Sequence, residues 1–253
     1  MRTAVAIVNG GLGLAYLGIG TLTLIDLKRG WRSLGFSHFG VAFIALAFTC
    51  GPHHLEHGLH VALGDRAAGP LDLVAVLVGL PAGIAFVLLR VEAFTGGRGD
   101  RYVAGTPGWL GVMPMVWGAY LAALVAVAIT GATDGVRLRP AIAPNLLLVG
   151  IYMTIGYFLL RTQLRNRREL GGWSVSGLSL MAVFPTCALM HAVFAYYVAT
   201  GVYGLDVHGF FIDWIAVPAG LYFLWAVRGL YLDSLRDWNK GISDERRMTA
   251  PVG

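Results

Sequence analysis

Charge is what this chain has least of. Only 13% of its 253 residues are Asp, Glu, Lys or Arg, against 57% hydrophobic residues and a mean hydropathy of +0.67. Soluble globular domains carry about 25% charged residues, which excludes that class. Cysteine is nearly absent too, with two residues, Cys50 and Cys187. A disulfide framework is therefore ruled out, and one Cys50–Cys187 bridge is the most the chain could form. The sequence also lacks a P-loop, a dinucleotide-binding glycine fingerprint, a G-x-S-x-G elbow and an H-E-x-x-H motif. No catalytic residue can be assigned on any of those patterns. The last apolar run contains no lysine, so a retinal Schiff base has no attachment point there.

What remains is apolar length. Seven runs of spanning length follow one another: Ala4–Leu27, Ser37–Leu63, Leu71–Phe94, Leu110–Gly131, Ala141–Leu160, Ser174–Tyr203 and His208–Leu232. A hydrocarbon core of about 30 Å needs about 20 helical residues, so each qualifies. The first run is too long for a removed signal peptide and lacks a small-residue cleavage site. The prediction is an all-α integral membrane protein, residues 1–253 forming one seven-helix domain with a tail over 233–253.

Positive charge orients it. Lys28, Arg29 and Arg32, then Arg90, Arg98 and Arg101, then Arg161, Arg165, Arg167 and Arg168, and finally Arg228, Arg236, Lys240, Arg246 and Arg247 all fall on one side. Arg2, Arg66, Arg137 and Arg139 are the only ones on the other. The positive-inside bias puts the N-terminus outside and the C-terminus and tail in the cytoplasm. The formal charge of +5 then faces anionic lipid, which makes the bilayer the expected partner and asks for no nucleic acid. A multi-pass protein of a bacterial-type plasma membrane is expected.

Within the second run, Thr49–His60 reads T-C-G-P-H-H-L-E-H-G-L-H and holds four of the seven histidines. Ionisable groups inside a membrane are costly and usually functional. On a helix Cys50, His54 and His57 share one face, while His53, His57 and His60 form a second stripe. Thiolate and imidazoles on one face suit copper(I) or zinc; a polar helix end lining a wet cavity is the plainer reading.

The chain also repeats itself. At an offset of 137, Ser37, Gly40, Ala45, Thr49, Cys50 and His54 recur as Ser174, Gly177, Ala182, Thr186, Cys187 and His191, and Pro81-Ala82-Gly83 recurs as Pro218-Ala219-Gly220. At an offset of 136, Asn9, Tyr16 and Ile19-Gly20 recur as Asn145, Tyr152 and Ile155-Gly156. Residues 4–94 and 141–232 read as parallel three-helix repeats joined by a linker helix over 110–131. A pseudo-twofold axis would let the two Cys-x3-His pairs face one another. Cys50, His54, Cys187 and His191 then form a Cys2His2 set or two neighbouring Cys-His sites; a Cys50–Cys187 disulfide is the competing arrangement.

The unit so defined resembles the membrane domain of the ethylene receptors. The likeness is carried by G-L-A-Y-L-G-I-G-T-L-T-L-I from Gly13, by F-G-V-A-F-I-A-L-A-F-T-C-G-P-H-H-L from Phe39, and above all by Cys50-Gly51-Pro52-His53-His54-Leu55. It covers the first three runs well and the last three more faintly. The resemblance implies copper(I) on each Cys-x3-His and a receptor dimer fused through the fourth run. It also places Asn9, with Asn145 as its repeat, beside the metal where the family has an acidic residue. Loss of that charge argues for copper more than for ethylene. The second copy has Cys187-Ala188, without the glycine. With only a short tail after the last run, a separate signalling or metal-delivery protein is the expected partner.

Some polar residues are not duplicated. His53, Glu56, His57 and His60 correspond to Met190, Val193, Phe194 and Tyr197, while His208 and Asp213 occur in the second copy alone, and Asp72 opens the third run at similar depth. They form a candidate second metal or relay site, or a hydrogen-bonded polar plug. Trp31, Trp109, Trp173 and Tyr203 are expected at the membrane interfaces. Three functions follow: a copper(I)-binding small-ligand sensor or copper-handling factor; a 3+1+3 transporter with the layout of SWEET-type sugar transporters; and a metalloenzyme built on His57, His60 and Glu56.

Overall fold

The computed structural model describes residues 1–64, 68–115, 117, 118, 122, 142–200 and 207–248, without the side chains of 33, 34, 207–210 and 234–248. Six long helices dominate: α1 (Arg2–Leu34), α2 (His38–Leu63), α3 (Pro70–Phe94), α4 (Ile142–Asn166), α5 (Val175–Ala199) and α6 (Val207–Met248). They coincide with six of the seven apolar runs; most of the linker run over 110–131, with Arg66, Arg137, Arg139 and Tyr203, lies outside the described residues. Helix α6 continues to Met248, through most of the stretch expected as a tail.

Among the described residues, five helices are long and apolar enough to cross a membrane: α1, α3, α4, α5 and the Phe211–Asp233 part of α6. The chain thus has the build of a multi-pass helical membrane protein. Helix α2 has the length, at 26 residues, but its histidines lower its hydropathy. Three of its five histidines, His53, His54 and His57, are turned inward and buried.

Matched local signals start two helices. Ser37 Oγ accepts from Gly40 N at 3.1 Å at the head of α2, and Ser174 Oγ accepts from Gly177 N at 2.9 Å at the head of α5. Each satisfies a backbone donor that the first turn leaves without a partner. Glycine sets how closely α1 meets α2. A Cβ on Gly13 would stand 2.8 Å from Gly51 O, and one on Gly51 would stand 2.9 Å from Leu17 Cγ. Val149 and Ala188 hold the corresponding positions in α4 and α5, so the glycine of the C-G-x-x-H pattern serves the close packing of α1 on α2.

The helices pair as two triplets. Helix α1 packs on α2 and α3, and α4 packs on α5 and α6; across the triplets α2 meets α6 and α3 meets α5. The core between them contains Phe43, Leu46, Phe86, Leu148, Tyr152, Phe184 and Phe223. At the basic end a two-stranded antiparallel strap joins Tyr102–Val103 (β1) to Trp173–Ser174 (β2). It corrects one expectation. Trp173 is not an interface anchor but 2% exposed, packed with Met113, Leu178 and Met181. Pairing with Val103 draws it under the strap, and the Arg167 guanidinium lies 5.4 Å from its ring centre.

Candidate functional site

Two asparagines, fully buried, organise the site. On α1, Asn9 Nδ2 donates to Val5 O at 2.9 Å, so its Oδ1 faces His54 Nδ1, also at 2.9 Å. On α4, Asn145 Nδ2 donates to Asp213 Oδ2 at 2.7 Å, and its Oδ1 lies 2.6 Å from His191 Nδ1. An amide oxygen only accepts, so Nδ1 of each histidine carries the proton and Nε2 keeps its lone pair. Both imidazoles are set in the tautomer a metal ligand requires.

The cysteines are tied crosswise. Tyr16 OH on α1 lies 3.0 Å from Cys187 Sγ on α5, and Tyr152 OH on α4 lies 3.3 Å from Cys50 Sγ on α2. Each tyrosine also covers the histidine of its own triplet. The Tyr16 ring stacks on His54 at 5.5 Å and 15°, while Tyr152 meets His191 edge-on at 5.4 Å and 61°. Both cysteines are free thiols. Crossed bonds to two tyrosines occupy the thiols instead of the disulfide.

Cys50, His54, Cys187 and His191 line one narrow cavity of about 10 Å3 with His53, Met190, Tyr152 and Asp213. Beside it a largely apolar cavity of about 50 Å3 is walled by Leu12, Phe43, Phe86 and Phe184 and also touched by Cys50, His54, Cys187 and Met190. That second space takes a few waters or one small apolar molecule. Among the described residues no three His, Cys, Asp or Glu side chains converge as a group able to hold a metal ion. The structure thus brings the four predicted ligands to one cavity wall without closing a Cys2His2 tetrahedron.

The unduplicated residues divide. Asp213, fully buried on α6, lies 3.1 Å from His53 Nδ1 and 3.9 Å from His191 Nδ1, which joins it to the cysteine–histidine site. His57 lines a third small cavity with His53, Asp72 and Met190. Glu56 and His60 pair at 3.3 Å near the exposed end of α2. The side chain of His208 lies outside the described residues. His38 stands apart at the other end of α2, 2.9 Å from Tyr222 OH and edge-on to Trp225.

Tyr16 and Tyr152 are the site residues that reading the sequence missed. The signal was present, since they recur at the offset that links Asn9 to Asn145.

Fold and site together define a helical membrane protein with a buried Asn–His–Cys–Tyr centre between two helix triplets. No protein-family model, curated protein or solved structure matches the chain. The likeness to the ethylene receptors therefore rests on the motif residues alone.

Proposed function

We propose that the chain is a seven-helix membrane protein, N-terminus outside, made of two parallel three-helix repeats and a linker helix. It binds copper(I) through Cys50 with His54 and Cys187 with His191, as a small-ligand sensor or copper-handling factor of a bacterial-type plasma membrane. The observation that carries the reading is the pair of asparagine-held histidines, each with Nε2 left as a lone pair, sharing one cavity with two unbridged thiols. The donor set fits the ion. Thiolate and imidazole suit copper(I), which is content with two soft donors, whereas structural zinc takes four in a tetrahedron. The neighbouring apolar cavity gives a small ligand a place beside the cysteines.

Element-specific metal analysis of the purified protein tests this. Copper is expected in the wild type and lost from the Cys50→Ala/Cys187→Ala variant; equal metal content in both would sink the reading.

A transporter is the second reading, favoured by the helix pairing, which maps onto itself when the triplets are exchanged, as parallel-repeat transporters require. Substrate flux into liposomes that survives loss of both cysteines would support it against the first.

A further inference from the structure

The residues left over by the cysteine–histidine site form a line. His60 and Glu56 stand partly exposed at the end of α2, with side chains 23% and 13% accessible. One turn inward His57, itself buried, shares a small cavity with Asp72, His53 and Met190. His53 and Met190 line the next cavity as well, the one holding both cysteines. Two adjoining spaces thus lead from His57 to the thiols, and Met190 lines both. His53, on α2, and Met190, on α5, are repeat counterparts at the offset of 137. The ring centre of His53 lies 6.3 Å from that of His54 and 5.3 Å from that of His191.

We propose that His60, His57 and the His53–Met190 pair form the route by which a soft metal ion supplied at the N-terminal side reaches Cys50 and Cys187. The proposal rests on the copper(I) reading above. Residues three and four apart on a helix are neighbours, about 5–6 Å between Cβ atoms, so the histidines of α2 form rungs without gaps. His60 stands 3.3 Å from Glu56, and His53 and Met190 line the same two cavities; small donor sets of this kind suit loose holding and exchange. The imidazole–thioether pair at the last rung selects by softness, since a thioether favours copper(I) over zinc. No electron changes hands: one donor bond to the ion forms as another breaks.

Copper(I) presented as its bicinchoninate complex to the purified protein gives the test, with loss of the complex's absorbance reporting both rate and final amount. The His57→Ala/His60→Ala variant and the near-isosteric Met190→Leu variant are expected to load at least about tenfold more slowly, the lower end of what removing groups around a metal site costs, and to reach the wild-type final content. Thermal melting of each variant checks that the fold is kept, and Met190→Leu serves if the double variant does not fold. Wild-type rates in both variants, or a final content that falls with the rate, would overturn the relay while leaving the copper site standing. A wild type that takes up no copper would instead remove the reading beneath it.

Discussion

The asparagines decide the most at the scale of single residues. Asn9 and Asn145 perform a task that an amide can and a carboxylate cannot. Each amide accepts from a histidine Nδ1 through oxygen while its nitrogen donates elsewhere, to Val5 O in one case and to Asp213 in the other. A carboxylate has no such donor. Replacing Asn9 with leucine would leave a buried imidazole N–H without its acceptor, at a cost of about 1–3 kcal/mol, and release the tautomer. Copper(I) affinity, measured by competition with a chelator, is expected to fall roughly 10–100-fold, the usual penalty for removing a residue that orients a metal ligand. An unchanged affinity would show that the amide does not hold the ligand.

Elements were the most legible part of the sequence. Helix bounds followed from apolar run length, because that signal is local. The nearness of Asn9 and Asn145 to the site was an expectation of the resemblance, and the repeat supplied only their correspondence. The crossed Tyr16–Cys187 and Tyr152–Cys50 contacts could not be anticipated, since they depend on how one triplet faces the other, nor could Trp173, buried by a two-residue strap. Packing at the element scale predicts that Gly13→Ala lowers the melting temperature, because its Cβ would meet Gly51 O, a backbone atom that cannot turn aside. A melting temperature equal to wild type would mean that α1 and α2 do not depend on that approach. The strap has its own acid dependence. Partial burial pushes the Asp100 carboxyl up, but hydrogen bonds from Ser174 Oγ and from the backbone N–H groups of Ser176 and Arg101 outweigh it and hold the group below its ordinary value of 3.8. A lowered folded value means the stabilisation is complete above the unfolded value and is lost as pH falls through the folded one. The protection of the Ser176 amide, its exchange relative to the intrinsic rate at each pH, is therefore expected to fall below about pH 4 in the wild type and to lose that dependence in Asp100→Asn; the same acid response in both proteins would assign it to another group.

At the scale of the whole molecule, the two helix triplets match in their Cys-x3-His residues and differ in what stands behind them. His191 is linked through Asn145 to the carboxylate of Asp213, whereas the position of Asp213 in the first half is Val76 and Asn9 ends on a backbone carbonyl. A carboxylate behind a ligating imidazole raises its basicity. On the copper(I) reading, the Cys187–His191 pair is then expected to be the tighter of the two. Copper(I) competition on single variants measures the difference. Cys187→Ala is expected to lose more affinity than Cys50→Ala, and adding Asp213→Asn to each should bring the two together by weakening only the site that Cys50→Ala leaves intact. Equal affinities in the two single variants would mean that Asp213 does not act through Asn145, and that the carboxylate serves His53 instead.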